Sequence, residues 1–179
     1  DVINILVNEL PNAGITSSDA DNSICTGQNV IFTASGGNTY LFYNGNNPQG
    51  GPSFSNQYIN SDLVQGSEIS VLVITSQGCT DSIGLDPFTV FESPSITLSS
   101  SVTLPSICSG DNVEFSAVGA SEFEYFINGQ SLGSSSNPII NIDSLENAEL
   151  VFVLGTSVQG CTDTSNVISY NVFQSPVVN

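Results

Sequence analysis

The residues best suited to chemistry in this chain are its four cysteines, Cys25, Cys79, Cys108 and Cys161. Thiols of this kind are oxidised in pairs to disulfides, and such bonds persist in oxidising compartments. The interval between the first two cysteines is almost identical to the interval between the last two. The repeated spacing predicts one bridge within each pair, Cys25–Cys79 and Cys108–Cys161. Free thiols and bonds between chains are the alternatives.

The composition excludes most other chemistry. The 179 residues include 17 Asp and Glu but no Lys, Arg or His, so the formal net charge is −17. A Schiff-base amine, an imidazole base or zinc ligand and a guanidinium clamp for phosphate are therefore absent. This charge repels nucleic acid and anionic membrane surfaces, and no apolar run reaches the roughly 18 residues that a membrane span requires.

We therefore expect no nucleic-acid binding, no membrane insertion and no enzymatic activity. Glu122 and Glu124 come nearest to the paired carboxylates of a glycosidase, but nothing in the sequence predicts a cleft around them. A scaffold, a cation-binding protein, and a surface that meets proteins or glycans remain as function classes.

One acidic loop has the composition of a calcium site. Asp19, Asp21 and Asn22 offer oxygen ligands at a spacing that Ca²⁺ can use. The corresponding stretch of the second half of the chain, 102–105, reads Val-Thr-Leu-Pro and carries no such ligands. The loop is therefore either a Ca²⁺ site confined to the first half or ordinary solvated acidic surface. No other cofactor is expected.

The chain is a tandem repeat. Residues 24–32, Ile-Cys-Thr-Gly-Gln-Asn-Val-Ile-Phe, match residues 107–115, Ile-Cys-Ser-Gly-Asp-Asn-Val-Glu-Phe. Gln-Gly-Cys-Thr-Asp occurs at 77–81 and again at 159–163. The resulting period of about 80 residues is long for a solenoid and favours separate small domains, each with its own core.

Short apolar segments that end in proline mark the limits of the repeats, at Val7–Pro11, Val90–Pro94 and Val172–Pro176. The predicted segments are the last strand of a preceding repeat (1–11), domain 1 (12–93), domain 2 (94–176) and the start of a further repeat or linker (177–179). The sequence is therefore expected to be a slice of a longer array.

Each repeat has the pattern of an all-β sandwich, because strand signals recur roughly every 8 to 12 residues. Val113, Phe115 and Ala117 alternate with polar residues and are predicted to face the core, as are their counterparts Val30, Phe32 and Ala34. Asn-Gly at 44–45 and 128–129 predicts type I′ hairpin turns. Later strands are predicted over 68–75 and 82–91, so Cys79 would lie in the turn between them.

In this arrangement the bridge of each repeat would staple one end of its sandwich. Closing a loop of about 55 residues contributes roughly 3 to 4 kcal/mol.

The pattern Cys-x-Gly-[Asp/Gln]-Asn-Val-x-Phe, followed by an aromatic strand ending in Asn-Gly and then by Gly-Cys-Thr-Asp, resembles Ig-like repeats of very large cell-surface proteins of Bacteroidota. The resemblance covers both repeats. It implies tandem Ig-like β-sandwich domains, each stapled by one disulfide, in an extracellular protein exported by type IX secretion. Such proteins serve in adhesion, gliding or surface appendages.

Two serines match a modification signal of the same group of bacteria. Asp81-Ser82-Ile83 and Asp143-Ser144-Leu145 resemble the Asp-[Ser/Thr]-aliphatic sequence for O-glycosylation. Ser82 and Ser144 are therefore candidate glycosylation sites.

Two strands read as apolar on both faces, around Leu72 and Ile74 and around Val151 and Val153. A strand with one solvated face should alternate. Either the second face is covered within its own domain or it meets another chain, and in the second case these four residues are interface candidates in a homo-oligomer.

The sequence thus predicts a structural repeat from the shaft of a very large extracellular bacterial protein, an adhesin or cell-attachment appendage. Its partners would be neighbouring repeats of the same chain, with an undefined distal target. The alternative is an Ig-like module that binds glycan or protein, with Ca²⁺ as a possible requirement.

Overall fold

The computed structural model describes residues 3–174, and all regular structure in this range is β. Contacts divide the chain into two compact units with the boundary between Phe91 and Glu92. The described residues form no helix long and apolar enough to cross a membrane. Residues 1–2 and 175–179, with the predicted 177–179 segment, lie outside the described range.

The described residues of unit 1, 3–91, form nine strands. They are Gly14–Ser17 (β1), Ser23–Cys25 (β2), Val30–Ser35 (β3), Thr39–Asn44 (β4), Asn47–Pro48 (β5), Gln57–Asn60 (β6), Ile69–Ile74 (β7), Thr80–Gly84 (β8) and Thr89–Phe91 (β9).

These strands form two main sheets, β1-β3-β6 and β5-β4-β7-β8, in which all neighbours are antiparallel. A short parallel pair, β2-β9, completes the unit. Two antiparallel sheets with this strand order form an Ig-like β-sandwich, which confirms the predicted fold class.

Unit 2 repeats the arrangement. Its strands are Thr97–Ser100 (β10), Ser106–Cys108 (β11), Val113–Val118 (β12), Glu122–Ile127 (β13), Gln130–Ser135 (β14), Ile139–Ile142 (β15), Val151–Thr156 (β16), Thr162–Thr164 (β17) and Asn171–Phe173 (β18). The sheets are β10-β12-β15 and β14-β13-β16-β17, with the parallel pair β11-β18.

The core of each unit lies between its two main sheets. Every second residue of β3 and of β12 is fully buried, which confirms the alternation predicted for these strands; the six residues are Val30, Phe32, Ala34, Val113, Phe115 and Ala117. Burial of these apolar side chains is the main force that holds the sheets together.

Aromatic rings fill the centre of both cores in slightly different ways. In unit 1, Phe88 meets Phe32 edge to face at 5.7 Å between ring centroids. In unit 2 the corresponding ring is Tyr170, 6.5 Å from Phe115. Its hydroxyl donates to the Val102 carbonyl (3.0 Å) and bonds Ser100 Oγ, so the added polar atom is satisfied.

The two Asn-Gly dipeptides prove not to be structurally equivalent. In unit 2, Asn128 and Gly129 both have positive φ, 49° and 80°, and form the predicted type I′ turn. In unit 1, Asn44 is still a strand residue paired with Asn47, and of the two turn residues only Gly45 has positive φ (56°). That pattern is typical of type II′, so the type I′ prediction is wrong for unit 1.

The single strand predicted over 82–91 is also wrong, since β8 ends at Gly84 and β9 begins at Thr89. Pro87 has no N–H to donate to a ladder. The intervening N–H groups of Leu85 and Phe88 instead donate to the carbonyls of Ile69 and Ser67, and the Phe88 ring enters the core.

The predicted strand before domain 1 is not a strand here. Residues 3–13 have no regular structure, and Ile5, Leu6 and Val7 are more than 80% exposed. The corresponding segments of the two units, β9 and β18, each pair with a strand of their own unit. That residues 1–11 end a preceding repeat stays a prediction.

Candidate functional site

The first cysteine of unit 1 lies, in space, beside the point at which the chain leaves that unit. Cys25 is the last residue of β2 and is paired with Phe91, the last residue of β9. A tight turn follows, in which Gln28 N–H donates to the Cys25 carbonyl (3.1 Å) and Cys25 N–H donates to Gln28 Oε1 (3.3 Å). The chain then enters β3 at Val30. We call this end of the sandwich the trailing end.

The second cysteine lies at the other end. Cys79 is in the turn between β7 and β8, where Thr75 N–H donates to its carbonyl (2.9 Å) and its own N–H donates to Thr75 Oγ1 (3.1 Å). Ile74, which precedes this turn, pairs with Thr39 at the start of β4. Because β4 follows β3 through residues 36–38, Cys79 lies beside the far end of β3, which we call the leading end.

The length of β3 separates the two cysteines. The five steps between its six residues, at about 3.3 Å each, span roughly 17 Å. A disulfide requires its two Cα atoms to lie within about 7 Å. A Cys25–Cys79 bridge is therefore incompatible with this sandwich.

Unit 2 has the same geometry. Cys108 ends β11 opposite Phe173, and Asp111 closes the following turn by accepting from Cys108 N–H (2.8 Å). Cys161 lies in the turn after β16, where its N–H donates to Ser157 Oγ (3.1 Å). The six residues of β12 lie between the two ends.

The bonding states agree with this geometry. Cys25 and Cys161 are disulfide-bonded, whereas Cys79 and Cys108 carry free thiols. The predicted bridges Cys25–Cys79 and Cys108–Cys161 are therefore both wrong, and neither unit is stapled internally. The physical reason is the separation of the two ends of each sandwich by a six-residue strand.

The side chains of the acidic loop already have partners within the protein. The carboxylates of Asp19 and Asp21 both accept from Ser23 N–H, at 3.0 and 3.1 Å, and Asn22 Nδ2 donates to the Asp86 carbonyl at 3.1 Å. Within residues 3–174, no three Asp, Glu, Cys or His side chains converge in a manner that could hold a metal ion. A Ca²⁺ site at Asp19, Asp21 and Asn22 stays a prediction.

Both candidate glycosylation serines are accessible. Ser82 is exposed on β8, at the edge of its sheet, and Ser144 is exposed in the segment after β15. The aliphatic residues that follow them differ, because Ile83 is 39% exposed whereas Leu145 is buried. Modification of these serines stays a prediction.

The interface candidates separate into two groups. Val151 and Val153 are 1% and 0% exposed and face the core of their own unit, so their assignment to an interface with another chain is wrong. Leu72 and Ile74 lie on the outward face of β7 and are half-buried. An interface role for Leu72 and Ile74 stays a prediction.

Sequence reasoning missed the outward aromatic pair of unit 2. Phe126 and Phe152 are cross-strand partners on β13 and β16, and their rings stack at 4.9 Å with an interplanar angle of 3°. Both are half-buried. The corresponding positions of unit 1 are Tyr43 and Ser70. If Val151 and Val153 are assigned to the core, alternation along β16 places Phe152 on the outward face of the sheet.

A shallow polar concavity lies beside the β4–β5 hairpin of unit 1, and side-chain amides line part of it. Gln49 is engaged on both atoms, since its Nε2 donates to the Asn47 carbonyl and its Oε1 accepts from Tyr58. Gln65 Oε1 accepts from Val90 N–H (2.8 Å). These amides support the local fold.

Comparisons with known proteins leave the family open. No family model matches the chain, and no curated protein matches it. Among solved structures, it is similar to the fibronectin(III)-like modules of Clostridium thermocellum CbhA, at 14% identity over 89% of this chain and 94% of that chain (TM-score 0.47).

Two bacterial adhesins are also similar. One is a 1.5-MDa ice-binding adhesin, at 13% identity over 94% of this chain and 67% of that chain (TM-score 0.41). The other is a Ca²⁺-stabilised adhesin of an Antarctic bacterium that binds ice, at 13% identity over 94% and 50% (TM-score 0.40). With TM-scores below 0.5, we base the fold on the sheet topology alone.

Proposed function

We propose that this chain consists of structural repeats from the shaft of a very large extracellular bacterial surface protein, an adhesin or a cell-attachment appendage. The observation that carries the proposal is the equivalence of the two units. They share sheet order, strand lengths in β3 and β12, and the positions of both cysteines. Repetition of a fold without a unit-specific reactive site is typical of a spacer.

The side-chain inventory suits exposure outside a cell. Trypsin-like proteases cleave after Lys or Arg, and the chain has neither. A disulfide persists in an oxidising compartment. The net charge of −17 keeps extended arrays soluble. The motif resemblance supports an origin in Bacteroidota and export by type IX secretion.

A second candidate function is recognition of glycan or protein by unit 2. The stacked pair Phe126–Phe152 favours it, because aromatic side chains that are partly exposed can pack against a ligand and the matched positions of unit 1 are Tyr43 and Ser70. If this candidate is correct, Phe126→Ala removes binding to a glycan array, while Tyr43→Ala at the matched position of unit 1 does not.

Antibody labelling of intact cells tests the proposed function. Antibodies raised against the purified chain are applied to the source bacterium before and after permeabilisation, with an antibody to a cytoplasmic protein as control. The bound antibody is detected by immunogold electron microscopy. We expect gold particles on unpermeabilised cells, at a distance outward from the membrane. Label that requires permeabilisation contradicts the proposal.

A further inference from the structure

We propose that the cysteines link consecutive repeats, the first cysteine of one repeat bonding the second cysteine of the repeat that follows. Under this rule Cys108 bonds a repeat that follows unit 2, and Cys79 bonds a repeat that precedes unit 1. The proposal rests on the proposed function, because it requires a longer array of these units.

The first step of the argument is that each first cysteine marks the trailing end. Cys25 is paired with Phe91 and Cys108 with Phe173, and Phe91 and Phe173 are the last strand residues of their units. Thr26 N–H and Ser109 N–H donate to the carbonyls of the same two phenylalanines, at 2.9 and 2.8 Å. The first cysteine is therefore held at the point where the chain departs.

The second step is that each second cysteine marks the leading end. The first strand of unit 2, β10, begins at Thr97 opposite Val118, the last residue of β12. Cys161 lies at this same end. In unit 1, β1 begins at Gly14 opposite Ser35, on the side of Cys79.

The third step is the length of the connection. Only residues 92–96 separate Phe91 from Thr97, and these six Cα–Cα steps span at most about 22 Å even when fully extended. This length limits how far apart the trailing end of one repeat and the leading end of the next can lie, without fixing that distance. The linker therefore allows a first cysteine to meet the second cysteine of the following repeat, whereas a six-residue strand holds the two cysteines of one sandwich roughly 17 Å apart.

The bonding states follow the rule. Cys25 and Cys161 are the first cysteine of one unit and the second cysteine of the next, and these two are disulfide-bonded. Cys79 and Cys108 are free, and their partners under the rule lie outside the 179 residues. Cys161 is fully buried while its equivalent Cys79 is only half-buried, and Cys108 is the more exposed of the two first cysteines.

The bond forms by thiol–disulfide exchange with a disulfide-bearing oxidant, such as a dithiol oxidase of the cell envelope. One cysteine thiolate attacks the oxidant disulfide and displaces one of its sulfurs. The second thiolate then attacks the mixed disulfide and releases the other. Two protein thiols become one disulfide, and the two electrons and two protons pass to the oxidant, which leaves as a dithiol.

Peptide mapping of the oxidised chain tests the rule directly. After free thiols are blocked with N-ethylmaleimide, cleavage at glutamate places the four cysteines in four different peptides, 10–68, 69–92, 93–114 and 150–179. We expect 10–68 linked to 150–179, with 69–92 and 93–114 both alkylated. Linkage of 10–68 to 69–92, or of 93–114 to 150–179, overturns the proposal.

A longer chain tests the extension to Cys108. A second copy of residues 94–175 is inserted after residue 175, and the product is refolded with oxidised and reduced glutathione. We expect Cys108 to bond the inserted cysteine that corresponds to Cys161. Cys108→Ser in the same chain should leave that inserted cysteine alkylated, and a Cys108 that stays alkylated in the parent overturns the proposal.

These results are separate from the fate of the proposed function. Surface label together with bridges inside single repeats refutes only the cysteine rule. Bridges between repeats in a protein that is never found outside the cell refute only the proposed function.

Discussion

At the scale of single residues, two tyrosine hydroxyls make hydrogen bonds within the sandwiches, that of buried Tyr125 and that of half-buried Tyr58. Tyr125 donates to the Pro138 carbonyl, and Tyr58 accepts from Asn60 Nδ2 (2.7 Å) while its ring lies between Phe32 and Phe42. Burial raises the pKa of both tyrosines above 10, partly opposed by a hydrogen bond from Asn60 at Tyr58 and by a backbone hydrogen bond with Ala117 at Tyr125.

These shifts predict a loss of stability at alkaline pH. The protonated phenol is favoured in the folded state, so its contribution is complete below the unfolded pKa near 10 and declines as pH rises through the folded pKa. Urea unfolding at pH 9, 10 and 11 should show a falling free energy of unfolding. Tyr125→Phe should reduce the slope, whereas Tyr43→Phe, on the outward face of β4, should leave it unchanged. An equal slope in Tyr125→Phe contradicts this assignment.

The repeated sequence does not determine which cysteines bond each other. The same interval between cysteines recurs whether each first cysteine bonds the second cysteine of its own repeat or that of the next. Only the end of the sandwich at which each residue lies distinguishes the two. That depends on where β3 begins and where the β7–β8 turn falls, which is tertiary information.

At the scale of elements, alternation in β3 and β12 was sufficient to predict the inner face. Alternation was insufficient in β7 and β16. Both faces of these strands carry apolar residues, so the sequence does not show which face points to the core. The buried residues are those that face the opposite sheet, Val71 and Val73 in β7 and Val151 and Val153 in β16. The outward face of each strand is partly covered by cross-strand neighbours such as Leu41 beside Leu72.

Truncations on the two faces of β16 should therefore differ. Val153→Ala opens a cavity in a fully buried site and should lower the free energy of unfolding by about 2 kcal/mol. Leu154→Ala removes a half-buried side chain and should cost less than about 1 kcal/mol in the monomer. Chemical denaturation measures both. A larger loss in Leu154→Ala than in Val153→Ala would contradict the assigned faces.

At the scale of the whole molecule, side-chain electrostatics are entirely repulsive. With 17 acidic side chains and no Lys, Arg or His, no side-chain ion pair can form, so folding brings like charges together. The Debye length shortens from about 10 Å at 0.1 M salt to 3 Å at 1 M.

Salt should therefore stabilise this protein. We expect Tm to rise steadily as NaCl increases from 20 mM to 0.5 M at pH 7, by several degrees. The same titration at pH 3, which is below the reference pKa values of Asp and Glu side chains, should show a much smaller effect. A fall in Tm with salt at pH 7 would show that attractive charge interactions dominate.

The cysteine rule gives the whole array a mechanical property that bridges within repeats would not. A bond from the trailing end of one repeat to the leading end of the next bypasses the short linker. Most of each sandwich then lies inside a covalent loop, so tension passes from one repeat to the next through a disulfide, and the loop limits how far a sandwich can extend.

Pulling the oxidised chain from its two termini in a single-molecule force measurement tests this account most directly. Only the segments before Cys25 and after Cys161 should extend, by about 150 Å of chain in total. Reduction should then release both sandwiches, for a total extension of about 600 Å. If the segment between Cys79 and Cys108 also extends before reduction, by about 100 Å more, the bridges lie within the repeats and the account is wrong.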